Sequence, residues 1–158
     1  MSKIFLYIFL MVLAFVVQVT ILPIMLPYYF KPDLLLLFLV YIALHEDSEN
    51  ILFLAVFLGL IKDVTSGLYF GMNTLSYIMV YMAIKLFASK IYSQGYYAFI
   101  TVVALSTFAN LTVNLFLLLF TDVASSIYIF MKTILSQVLI NTFLASLFIV
   151  MPKFNRSY

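Results

Sequence analysis

The residues able to do chemistry are few in this chain, and they cluster. The densest polar stretch is Gly59-Leu60-Ile61-Lys62-Asp63-Val64-Thr65-Ser66-Gly67-Leu68-Tyr69-Phe70-Gly71-Met72-Asn73. Gly59 and Asp63 lie four residues apart and share a helical face that Ser66 continues, while Gly67 suits a left-handed helix stop. An acid at membrane depth needs a partner or water. Two readings of Asp63 follow: a polar site or docking corner, or a helix terminus whose acid is tied to a neighbouring Lys. Gly67 and Gly71 also spell GxxxG, which marks a turn where it falls between two helices. Ala55 and Gly59 have small-xxx-small spacing inside one helix, which permits close packing.

Two polar stripes form a second constellation. Thr107, Asn110, Asn114 and Thr121 follow three- and four-residue steps, bridged by Leu117, and Thr133, Gln137, Asn141 and Ala145 form an i, i+4 series. Gln18 is a lone amide in the first apolar run. Amides in hydrocarbon favour interhelical hydrogen bonds, each contributing about 1 kcal/mol, so the stripes either hold a bundle together or line a cavity opening outward.

Neither constellation carries equipment for bond chemistry. The chain has no cysteine and one histidine, His45, which leaves no thiolate nucleophile, disulfide framework or multi-histidine metal site. Two carboxylates within reach can in principle do acid-base work, but no Walker loop, dinucleotide fingerprint or zinc-protease helix accompanies them. A membrane enzyme acting on lipid-linked precursors would lack its nucleophile and metal signatures. No catalytic residue, metal or cofactor is expected.

The elements that must position these residues are helices in lipid. Hydrophobic residues make up 66% of the 158 and charged ones 9%, against roughly 25% charged in soluble domains. Mean hydropathy is +1.21, spread along the whole chain. These values predict an all-α, polytopic integral membrane bundle, a single transmembrane domain over 1–158 with lipid as its solvent. The net charge of +2 is too small and scattered for nucleic-acid binding.

A hydrocarbon core of about 30 Å needs about 20 helical residues. Uncharged stretches 4–30, 64–84, 91–121 and 133–152 meet that length. The shorter stretches 34–44 and 50–61 borrow polar ends. The first of these begins at Pro32 and Asp33, since proline suits the first helical position and an acid favours the positive end of the dipole; the other extends past Lys62 and Asp63 towards Ser66. The expectation is six helices, near 4–22, 33–46, 50–66, 72–89, 96–120 and 128–151. An even number puts both termini on one side, with Lys3, Lys85, Lys90, Lys153 and Arg156, and the positive-inside rule makes that side cytoplasmic. The opposite side collects Lys31, Asp33, Lys62, Asp63, Asp122 and Lys132, a balance that suggests pairing. The first run is too long, and lacks the cleavage site, for a secretory signal. Tyr28, Tyr29, Phe30, Tyr69, Phe70, Tyr92, Tyr96, Tyr97 and Tyr128 fall near helix ends, where such rings prefer the headgroup region.

The run Lys31-Pro32-Asp33-Leu34-Leu35-Leu36-Leu37, a short helix, then Gly59 through Asp63, Ser66, Gly67, Gly71 and Leu75 resembles the MreD family, small integral membrane components of the bacterial cell-elongation machinery. The resemblance covers about residues 31–90; the last two helices share its hydropathy and the Gln137 and Asn141 pattern. It implies a non-catalytic scaffold in the bacterial cytoplasmic membrane that works with bitopic MreC, alongside MreB, RodA and a class B penicillin-binding protein. It also implies a bundle similar to the substrate-binding subunits of energy-coupling-factor vitamin transporters. Pro32, Asp33, Gly59, Asp63, Ser66, Gly67 and Gly71, with Gln137 and Asn141, become the candidates for the structural and partner-docking corner. Two features depart from the family pattern: Lys62 stands where an apolar residue is expected, and the turn at Glu46-Asp47-Ser48-Glu49 is acidic. The alternative function is a substrate-binding membrane subunit of a vitamin-type transporter, with a small uncharged or zwitterionic ligand in an outward cavity between the last two helices.

Overall fold

The computed structural model describes residues 2–27, 30–46, 50–66, 70–91, 96–120 and 123–149, and they form helices with no strand among them. The first rod is α-helical over α1 (Ser2–Val16), passes through a π turn at Val17–Ile21, and resumes as α2 (Leu22–Met25) without leaving helical dihedrals. The π turn falls just before Pro23, whose ring lacks an N–H and crowds the carbonyl four residues back; a wider turn relieves that conflict. Five further rods follow: α3 (Leu34–His45), α4 (Ile51–Ser66), α5 (Met72–Ile91), α6 (Tyr96–Leu118) and α7 (Val123–Ile149).

Helix α3 is the axis of the bundle. Its sequence is apolar all round, which suits a helix surrounded either by protein or by lipid, and here protein surrounds it. Leu35, Leu36, Leu37, Leu39, Val40, Ile42 and Ala43 are all buried, and the helix packs against α1, α4, α5, α6 and α7. The closest pairings around it are α4 with α5 and α6 with α7. Outward faces carry Phe53, Phe57 and Val64 on α4, Leu105, Phe108 and Phe116 on α6, and Leu135, Leu139 and Phe143 on α7. Large apolar side chains presented outward from several helices fit a lipid environment.

Three helical stretches are long and apolar enough to cross a membrane, Tyr7–Met25, Phe99–Leu118 and Phe130–Leu147, while Leu34–His45 and Met72–Phe87 are shorter apolar helices. The uncharged stretch 64–84 therefore does not span as one piece: it is broken by the turn before Met72 and continues as α5, which carries Lys85. Helix α7 begins at Val123, earlier than expected, because Ala124, Ser125 and Ser126 continue the helix ahead of Tyr128. Pro32 does not open α3. Asp33 is the N-cap and Pro32 precedes it, because a carboxylate makes a better cap than a first-turn residue when its own side chain can reach back to the helix.

Candidate functional site

Two helices begin inside the bundle, and each brings unpaired backbone N–H groups that must find acceptors. At the start of α3, the Leu36 amide donates to Asp33 Oδ1 at 3.2 Å. The Asp33 amide itself donates to Asn141 Oδ1 of α7 at 2.9 Å, and the Leu35 amide donates to Gln18 Oε1 in the π turn at 3.1 Å. Three helices thus meet on one helix N-terminus. Asn141 passes the linkage on, since its Nδ2 donates to Thr107 Oγ1 at 3.1 Å, and that hydroxyl donates to the Val103 carbonyl at 2.8 Å.

The Asp33 carboxylate has two further partners. Tyr77, fully buried on α5, donates its hydroxyl to Oδ1 at 2.7 Å. Lys62 of α4 forms an ion pair with Oδ2, its ammonium 5.0 Å from the centre of the Tyr77 ring, where the face of the ring attracts a cation. A buried carboxylate that accepts from a backbone amide, a phenol and an ammonium is compensated on every side.

The start of α5 repeats the device with Asp63. Gly71 and Thr74 donate their amides to Oδ2 at 2.9 and 3.2 Å, and the Asn73 amide donates to Oδ1 at 2.8 Å. The Thr74 hydroxyl adds a bond at 2.6 Å and Asn73 Nδ2 one at 3.0 Å. Asn73 Nδ2 also reaches Ser66 Oγ at 3.3 Å. The acid at the end of α4 therefore caps the next helix across the turn, and its negative charge sits at the positive end of that helix. Gly71 makes the geometry possible with φ of 96°, a conformation that L side chains resist. Gly59 lets the two helices close: a Cβ there would stand 2.9 Å from the Thr74 amide nitrogen and nearer still to its Cα. One turn further into α5, Ser76 donates to Asn110 Oδ1 at 2.6 Å.

At the opposite end of the bundle, Tyr7 donates to Glu46 Oε1 at 3.0 Å and Lys85 Nζ to the Glu46 carbonyl at 2.8 Å, joining α1, the end of α3 and α5. His45 stacks on Tyr41 with ring centres 4.4 Å apart. Among the described residues, no group of three His, Cys, Asp or Glu is placed to hold a metal.

The candidate residues thus separate into groups. Asp33 and Asn141 meet at the start of α3; Gly59, Asp63, Ser66 and Gly71 meet at the start of α5; Lys62 and Tyr77 join the two. Pro32, buried, only leads into the Asp33 cap. Gln137 is one turn from Asn141 and half-buried. Gly67, together with Thr121, Asp122 and the turn at 47–49, lies outside the described residues. The reading in which Asp63 is tied to a neighbouring Lys is corrected: Lys62 turns away to Asp33, because adjacent residues on a helix point in different directions. Of the polar stripes, Thr107, Asn110 and Asn141 are buried as interhelical links, and Thr133 is also buried. Lys62, Asn73, Thr74, Ser76 and Tyr77 were not among the candidates. Asn73, Ser76, Tyr77, Val80 and Ile84 form a helical stripe in the sequence that could have drawn attention to this face of α5.

The family model for rod shape-determining protein MreD matches residues 1–157, essentially the full chain. No curated protein and no solved structure matches it.

Proposed function

The chain belongs to the MreD family of rod shape-determining membrane proteins, and from that premise we propose that it acts as a non-catalytic scaffold of the elongation complex. In this reading it binds the transmembrane helix of MreC directly. MreB, RodA and a class B penicillin-binding protein belong to the wider assembly, which sustains lateral peptidoglycan synthesis and cell shape. The observation that carries the proposal is the direction of the polar groups. Asp33, Lys62, Asp63, Asn73, Asn110 and Asn141 turn inward and bond one another or helix ends, so they hold a fixed shape and leave apolar surface outside. Helices associate in lipid through packing and a few interhelical hydrogen bonds, and a rigid apolar exterior suits that mode.

The same reading has six helices crossing the bacterial cytoplasmic membrane as one domain, with both termini cytoplasmic. Tyr7, Glu46 and Lys85 meet at one end of the bundle and Gln18, Asp33 and Lys62 at the other; Lys3 and Lys90, near the start of α1 and the end of α5 in the chain, add to the Lys85 end, and the positive-inside rule supports reading that end as cytoplasmic. A bundle of the energy-coupling-factor substrate-subunit type belongs to this proposal as architecture, without transport. Pro32, Asp33, Gly59, Asp63, Ser66, Gly67 and Gly71, with Gln137 and Asn141, are the residues proposed to shape the docking corner.

The test is a pulldown from native membranes with a tag on the C-terminus and identification of partners by mass spectrometry. Recovery of MreC with cell-wall synthases is the expected outcome. Recovery of a transporter's ATPase and coupling subunits in its place would overturn the proposal. Asp63→Ala, if folded, should recover less MreC than the parent; full recovery with normal elongation would remove the corner from the docking surface.

A further inference from the structure

Helix α1 is held differently from the rest of the bundle. Helices α4 and α5, α5 and α6, and α6 and α7 pack against each other as well as against α3, whereas α1 packs closely against α3 alone. No described side chain of Tyr7–Met25 is buried. Tyr7, Met11 and Phe15, at four-residue steps, rest half-buried on the core, and so do Leu34, Phe38 and Tyr41, a stripe of α3 that escapes full burial.

Two hydrogen bonds set the register of this seam: Tyr7 donates to Glu46 Oε1 at 3.0 Å, and the Leu35 amide donates to Gln18 Oε1 at 3.1 Å. Tyr7 to Gln18 and Leu35 to Glu46 are equal lengths of chain, each about 16 Å of helix at 1.5 Å per residue. The two helices are thus clipped antiparallel at both ends and left without neighbours on the flanks of α1. Each flank is open from the corner of Asp33 and Asn141, beside Gln18, to Glu46. On one side Tyr41 meets Phe99 of α6 edge-on, with ring centres 6.4 Å apart, which makes α6 the far wall there. A helix laid along such a flank touches α1, the α3 seam and the adjoining outer helix, while the convex outer faces of α4 to α7 offer fewer surfaces; packing of this kind is what drives association in lipid.

Charge selects the occupant. In the orientation proposed above the seam ends at the cytoplasmic side on the Glu46 carboxylate. A negative charge at that level disfavours the anionic headgroups of the cytoplasmic leaflet and matches the lysines and arginines that flank the cytoplasmic end of a membrane-spanning segment. We propose that the flank of α1, along its seam with α3, is a docking surface for a single apolar transmembrane helix with basic residues at its cytoplasmic end. This inference rests on the scaffold reading and extends its docking surface from the corner of Asp33 and Asn141 inward to Glu46.

The test places the photoreactive residue p-benzoylphenylalanine at single positions of the full chain in native membranes, with MreC, the single-span partner of the scaffold reading, as the probe. Ile8 and Leu10 are exposed and lie about 80° to either side of the seam, from the 3.6-residue turn of the helix. Phe57 on α4 and Phe143 on α7 face outward and serve as comparison positions. The expected result is a crosslink to the transmembrane segment of MreC from Ile8 or Leu10, and its loss at Phe57 and Phe143. Glu46→Gln keeps an acceptor for Tyr7 and removes the charge, so it should weaken that crosslink about two- to fivefold, the range of one exposed ion pair. Crosslinks to MreC from Phe57 or Phe143 alone, with MreC still recovered by pulldown, overturn the docking surface and leave the scaffold reading standing. Adducts at Ile8 and Leu10 with lipid or a second copy of this chain alone, again with MreC recovered, also overturn it. Crosslinking unchanged in Glu46→Gln overturns the charge match on which the choice of partner rests. No MreC in either assay removes the scaffold reading and this proposal with it.

Discussion

Asp63→Ala is the sharpest perturbation of the corner. The carboxylate accepts three backbone amides, from Gly71, Asn73 and Thr74, and two side-chain donors, Asn73 Nδ2 and Thr74 Oγ1. Truncation leaves the two side chains free to rotate towards other acceptors, but the three amides are fixed by the helix. A buried donor without a partner costs about 1–3 kcal/mol; because the Gly71 and Thr74 amides are only part-buried, the low end applies, giving a loss of about 3 kcal/mol. That corresponds to roughly 6–12 °C in melting midpoint for a chain of about this size. Asp63→Asn keeps Oδ1 for Asn73 and turns an NH₂ towards Gly71 and Thr74, so it should lose about half as much. The assay is thermal unfolding followed at 222 nm in detergent, with hydrogen exchange measured on a peptide spanning 70–77. Protection of the first turn of α5 should fall in Asp63→Ala and partly in Asp63→Asn. A midpoint within a degree of the parent, with that protection unchanged, would refute the assignment of Asp63 as the cap of α5.

Other perturbations separate the contributions at the same corner. Gly59→Ala should cost about 1–3 kcal/mol through overpacking, and Thr74→Ala should not rescue it in thermal unfolding, because the clash is with the Thr74 backbone. Gly71→Ala meets open space and should cost only about 1–2 kcal/mol, the penalty for a left-handed L residue; a larger loss would mean that the turn matters beyond its dihedral. Lys62→Met should destabilise by about 3–5 kcal/mol by stranding the Asp33 charge, whereas Lys62→Met with Asp33→Asn should lose much less, a coupling that a double-mutant cycle measures. Gln18→Leu should remove about 1 kcal/mol by leaving the Leu35 amide unpaired, read as faster exchange of that amide alone.

The helices were legible because their signals are local. The apolar runs gave α4 to within a residue and α5 and α6 to within about two, whereas the central place of α3 was not legible, because an all-apolar helix is equally at home against lipid. The candidate corner was legible in part. Glycine and aspartate at four-residue spacing placed Gly59 and Asp63 on one face, and Gly71 is a turn residue for the reason its type suggests. Partners were not legible, because they depend on which helices become neighbours. Lys62 lies beside Asp63 in the chain and pairs with Asp33, 29 residues away. Asn141, read as interhelical glue, accepts a backbone amide 108 residues distant. Nothing local to Tyr77 in the sequence foretells that its hydroxyl reaches Asp33, 44 residues away.

The short central helix has a consequence for how the protein is made. Helix α3 is about 18 Å long at 1.5 Å per residue, well short of a hydrocarbon core of about 30 Å, and it carries an acid at its leading end whose countercharge is synthesised only later, on α4. A nascent chain that stops before Lys62 therefore presents the insertion machinery with a segment too short and too charged to partition into lipid alone. Integration of α3 should therefore wait for α4, whose Lys62 pairs the Asp33 charge, so the order of synthesis and the pairing of Asp33 with Lys62 become parts of one biogenesis step.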